Sequence, residues 1–74
     1  MLKEHDTVVL LRDLPESGLA AGDLGAIVHL YPDGKALEVE FVGLAGDTIS
    51  VETLPIEAVR AVQAREIAHV RAVA

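Results

Sequence analysis

The chain has 74 residues, a formal net charge of −6, no cysteine and two aromatic residues, Tyr31 and Phe41. That length holds one small domain, and a fold of this size buries only about 60% of its unfolded surface, which leaves little room for a deep catalytic cleft. The lack of cysteine excludes disulfides, thiolate metal sites and a thiol nucleophile, 12 acids against 6 bases argue against a phosphate-binding face, and scarce aromatics remove the stacking platforms that single strands use.

Lys3, Glu4, His5 and Asp6 put charge where a signal peptide would begin its apolar run. No stretch approaches the roughly 20 apolar residues of a membrane span, so the expectation is a soluble cytoplasmic protein. Residues 7–12 (Thr-Val-Val-Leu-Leu-Arg) are β-branched and almost continuously apolar, as in a strand covered on both faces. Residues 13–23 carry Pro15, Gly18 and Gly22 and read as a loop whose Leu14 and Leu19 fold back onto the core. A second strand is expected over Gly25–Tyr31, with His29 as a partly buried packing residue.

Pro32-Asp33-Gly34-Lys35 is a turn with a mechanism: proline presets φ, Asp33 can accept a hydrogen bond from the chain ahead, and Gly34 accepts positive φ. The cleanest alternation comes next, with Leu37, Val39 and Phe41 pointing one way and Glu38 and Glu40 the other. Gly43–Asp47 forms a turn. Thr48–Leu54 reads as a fourth strand with Ile49 and Val51 on one face and Ser50 and Glu52 on the other, so that Glu52 is expected opposite Glu38 and Glu40. Pro55–Ala58 suits one helical turn before a fifth strand at Val59–Val62. Five short strands at this spacing predict a mainly β, strongly bent small barrel over residues 1–63. Residues 64–74 form a C-terminal tail, a short helix by the spacing of Ile67, Val70 and Val73 or else an edge strand.

Charge divides along the chain. Residues 1–58 hold eleven acids and three bases, a balance of −8, whereas residues 59–74 hold Arg60, Arg65 and Arg71 against Glu66, a balance of +2. A basic, apolar tail therefore follows an acidic body, and it is suited to dock on the body of its own or a neighbouring chain.

No catalytic constellation emerges. Ser17 lies in a loop without a strand-to-helix elbow, Ser50 lies within a strand, and His5, His29 and His69 show no ligand-pair spacing. Gly18, Gly22 and Gly25 lack the Lys-Ser or Lys-Thr of a phosphate loop, and Asp23 would repel phosphate. The expectation is a chain with no metal and no cofactor. Glu38, Glu40 and Glu52 are read as a solvated carboxylate face suited to a basic partner.

Asp6–Leu10, Arg12–Pro15, Gly18-Leu19 and Gly22-Asp23-Leu24-Gly25-Ala26-Ile27-Val28 resemble the opening of SH3-like small barrels. The Gly-Asp-x-Gly-x-Ile element is similar to the glycine-centred turn of KOW-type domains and of nitrile hydratase β-subunit barrels. More closely, Tyr31–Gly34, Glu38–Phe41, Thr53-Leu54, Val59-Arg60 and Arg65–Arg71 resemble the bacterial domain-of-unknown-function family 4926. The resemblance implies a five-stranded SH3-like barrel and brings no activity with it.

The resulting expectation is a non-enzymatic, acidic protein-interaction module. It would be an accessory or antitoxin-like protein that binds a basic partner encoded nearby, through Glu38, Glu40, Glu52, Ile67, Val70 and Arg71. Homo-oligomerisation through the tail is compatible with it, since Ile67 and Val70 could cross to a second copy. The alternative is a KOW-like RNA-binding or ribosome-associated domain. Against that alternative, and against nucleic acid generally, stands the lack of basic residues around the turn. No membrane role is expected.

Overall fold

The alternation of residues 37–41 builds an interior strand of the sheet. In the computed structural model, which describes residues 2–73, β3 spans Ala36–Val42 and buries Leu37, Val39 and Phe41. β1 spans Thr7–Leu10, β2 Leu24–Leu30, β4 Thr48–Pro55 and β5 Val59–Ala61. All pair antiparallel in one sheet of order β4-β3-β2-β1-β5. Two 3₁₀ turns, η1 at Pro15–Ser17 and η2 at Ile56–Ala58, complete the regular elements among the described residues.

The link from β4 to β5 dictates the shape. These strands are the two edges of the sheet, yet Pro55 ends one and Val59 begins the other. Four residues reach at most about 14 Å, whereas the edges of a flat five-stranded sheet lie about 19 Å apart. The sheet must therefore curl. Its concave face collects Val8 and Leu10 from β1, Ile27, Leu37, Val39, Phe41, Leu54 and Val59 into one cluster, plugged by Leu19 and Ala58 from the connections. Among the described residues no ladder joins β4 to β5, so the sheet is curled and open.

Several local expectations hold. Leu14 and Leu19 bridge to each other, Leu19 is buried and Leu14 packs on the core. Val8, Val9 and Leu10 are all buried, so β1 is covered on both faces. At the turn after β2, Gly34 has φ 71°, the Gly34 N–H donates to the Tyr31 carbonyl and the Lys35 N–H donates to the Asp33 carboxylate (2.9 Å). Gly25 allows a close approach, because a Cβ there would lie 2.5 Å from Val39 Cγ1 and 3.0 Å from the Phe41 ring.

Three expectations need correction. The first concerns the faces of β4. Phe41 pairs with Ser50 and Val42 with Thr48, leaving Ile49 as an extra, bulged residue. Ile49 still packs on the core, but the bulge flips the rest of the strand: Val51 is 53% exposed, while Ser50, Glu52 and Leu54 share the concave side with Phe41, Val39 and Leu37. The second is His29. A matching irregularity between Ile27 and His29 makes Val28 the extra residue of β2, so His29 pairs with Glu38 on the convex face and is exposed.

The third is the tail, whose described residues, 64–73, are neither helix nor strand. Residues 67–73 run without a ladder among the described residues, and near their start a backbone bond closes the turn from Gln63 to Glu66. The tail expectation also extends to Ala74, which lies outside the described residues.

Candidate interaction surface

The convex face of β2, β3 and β4 carries the first group of expected site residues. Register places His29, Glu38 and Thr53 in one row and Ala26, Glu40 and Val51 in the next. The Tyr31 hydroxyl donates to Glu38 Oε2 (2.7 Å), and that carboxylate holds the phenol pKa above its ordinary value. The Tyr31 ring stands edge-on to His29, with centroids 4.7 Å apart. Glu4 Oε2 comes within 3.7 Å of His29 Nδ1. The Thr48 hydroxyl donates to Glu40 Oε2 (2.6 Å). Hydroxyl neighbours thus orient both carboxylates, yet among the described residues neither forms a salt bridge with Lys, Arg or His.

Glu52 does not join them. It lies on the opposite side of the sheet, where the Ser17 hydroxyl donates to Oε2 (2.7 Å) and the Ser50 hydroxyl donates to the same oxygen. These bonds, Ser50 first, depress its pKa. Their effect is to tie η1 to the edge strand. This tether links residues 35 apart, and nothing in the local pattern around Ser17 or Glu52 signals it.

The tail supplies the other group. Arg60 at β5 makes a two-pronged contact with Glu66, whose carboxylate also accepts the Gln63 N–H. The pair holds the Glu66 pKa down to about 2 and forms an elbow that turns the chain back along the molecule. Arg71 then reaches the loop before β2. Its Nε donates to Asp23 Oδ1 (2.7 Å), and its Nη2 donates to Asp23 Oδ2 (2.5 Å) and to the Gly18 carbonyl (2.9 Å). The Ala20 N–H also donates to Asp23 Oδ2 (2.9 Å). The Asp23 side chain is only 17% exposed, and the guanidinium, helped by that N–H, holds its carboxyl below the usual range. The tail therefore docks on its own body. Asp23 figures in the sequence only as an acid within a glycine turn, and its partner lies 48 residues away.

Ile67 and Val70 bury little in this arrangement, at 96% and 72% exposed. The two groups of residues nevertheless adjoin. Leu24 and Val42, both exposed, line one hollow with Glu40 and a second with Val70. The carboxylates on β3 and the aliphatic tail thus flank a shared apolar strip.

Among the described residues no three His, Asp or Glu side chains converge as a metal-holding group, and no helix is long and apolar enough to cross a membrane. The model of the family described as Domain of unknown function (DUF4926) matches residues 4–61. No curated protein and no solved structure matches the chain. With the match spanning all five strands, the chain belongs to the DUF4926 family.

Proposed function

We propose that this member of the DUF4926 family is a non-enzymatic protein-interaction module, built as an SH3-like small barrel, that meets a basic protein partner on its convex face. The barrel reading is supported by the tight curl that the η2 link imposes and by the single concave core. The observation that carries the functional reading is the pair Glu38 and Glu40. Both are oriented by hydroxyls, neither has a cation beside it among the described residues, and exposed Leu24, Val42 and Val51 lie on the same face. Oriented carboxylates speed encounter and select charge, while aliphatics excluded from water supply affinity. An accessory or antitoxin-like role, covering a basic protein encoded nearby, fits that chemistry.

The test is affinity capture from native lysate at low salt with the wild type and with Glu38→Lys/Glu40→Lys. The expected result is a stoichiometric basic protein held by the wild type and lost by the variant. Capture that the variant does not change would overturn the reading. Salt-sensitive retention of RNA in place of protein would replace it with a nucleic-acid function.

A further inference from the structure

The tail is held through side chains and not through a ladder. It adds no strand, and its aliphatic Ile67 and Val70 stay largely in water. Beyond the Arg60–Glu66 elbow, one side chain ties it to the body: Arg71, gripped through three hydrogen bonds by the Asp23 carboxylate and the Gly18 carbonyl. The receiving side has supports of its own that do not involve the tail. The Ala20 N–H anchors Asp23 Oδ2, the Ala21 N–H anchors the nearby Asp13 carboxylate, and Gly18 is held at φ 73°.

Beside this grip lies a groove of about 200 Å³, lined by Leu19, Leu24, Phe41 and Ile49 from the body and by Val70 and Val73 from the tail. Val73 sits over the bare face of Gly18, its Cγ1 3.6 Å from where a Cβ would stand. The family match covers all the body residues of this site, whereas the tail that walls its other side lies beyond residue 61.

We propose that the Gly18–Asp23 loop and its adjoining groove form a receptor for an extended peptide carrying an arginine between aliphatic residues. The chain's own Arg71 fills it in cis, and a protein partner's segment of that chemistry fills it in trans. Planar, two-pronged recognition suits arginine and not lysine, so the receptor reads more than positive charge. A tethered tail competes at an effective concentration of roughly millimolar, which keeps the site closed to weak ligands. The receptor adjoins the Glu38–Glu40 face and shares Leu24 with it, but its grip on the arginine comes from Asp23 and Gly18 and uses neither of those carboxylates.

The probe is a fluorescent peptide of residues 64–74, titrated by polarisation against full-length protein. Arg71→Ala should bind it at least tenfold more tightly than the wild type, whose own tail competes. Arg71→Lys within the peptide should cost tenfold or more. Asp23→Asn/Arg71→Ala, whose substituted amide oxygen can still accept the Ala20 N–H, should lose binding while keeping its circular dichroism spectrum. Glu38→Lys/Glu40→Lys in the Arg71→Ala background should bind as Arg71→Ala does.

Equal binding by the wild type and Arg71→Ala would overturn the proposal, as would indifference to lysine in the peptide. Binding lost with the Glu38 and Glu40 reversals would show capture by net charge and would also overturn it. A wild-type dimer that Arg71→Ala dissociates would assign the receptor to a second copy and refute the cis arrangement.

Discussion

Gly25 offers the sharpest test of how the core is packed. A methyl group at this position would stand 2.5 Å from Val39 Cγ1 and 3.0 Å from two atoms of the Phe41 ring. Val39 is fully buried and Phe41 nearly so, so neither can swing into solvent. Overpacking of this kind costs about 1–3 kcal/mol, set against a gain of about 0.4–1 kcal/mol from a stiffer unfolded chain. Gly25→Ala should therefore lose about 1–2 kcal/mol, a fall in Tm of roughly 5–15 °C for a domain of this length.

Gly43→Ala is the matched control. Its methyl would meet Asp47 Oδ1 at 2.6 Å, but that atom ends an exposed, flexible side chain that can move aside. It should change stability by less than about 0.5 kcal/mol. A third variant makes the cause specific. Val39→Ala alone should cost about 2–3 kcal/mol, and adding it to Gly25→Ala should recover at least about 1 kcal/mol relative to additivity, because the new methyl enters the vacated space. Urea melts of the wild type, these single variants and the Gly25→Ala/Val39→Ala double variant supply the cycle. Equal stability of Gly25→Ala and Gly43→Ala, or strict additivity with Val39→Ala, would refute the steric argument.

Other outcomes follow from the bulge, the tether and the tail. Val51→Thr should be neutral within about 0.5 kcal/mol, whereas Ile49→Ala should cost about 1–3 kcal/mol; thermal melts with the opposite ranking would move Ile49 out of the core. Ser17→Ala should cost about 1 kcal/mol in denaturant melts and raise protease sensitivity around η1, since it cuts the bond to Glu52. Asp23 has a folded pKa below its ordinary 3.8, so the stability it contributes is complete above that value and is lost as pH falls through the lower folded one. Melts from pH 5 to pH 2 should thus show a shallower acid loss in Arg71→Ala than in the wild type; parallel curves would mean that the pair is not formed.

Much of the fold is legible residue by residue. The strict alternation of Leu37–Phe41, the Pro32–Lys35 turn and the continuous apolar run at Val8–Leu10 each encode their surroundings locally, and the structure follows them. Glu52 shows why other features are hidden. A period of two assigns it to the face of Glu38 and Glu40, but one bulged residue, Ile49, reverses every later side chain without leaving a mark on composition. In the tail, three aliphatic residues by themselves suggest a helix or a strand. Its course depends instead on two ion pairs, Arg60 with Glu66 and Arg71 with Asp23, and the second spans 48 residues. Spacing arguments reach a few residues; these contacts do not.

The reversal at Ile49 also bears on what the open edge of the sheet presents to other chains. An open sheet leaves β4, eight residues long, with one side of its backbone unpaired, a template on which another chain could grow a strand. Any such strand would lie alongside the Glu52 carboxylate, which the bulge has turned to the concave side, and would strip water from a charge served by two hydroxyls and no cation among the described residues. An inward glutamate at that position disfavours edge pairing, and an aliphatic residue in its place would remove that penalty from the longest of the described strands.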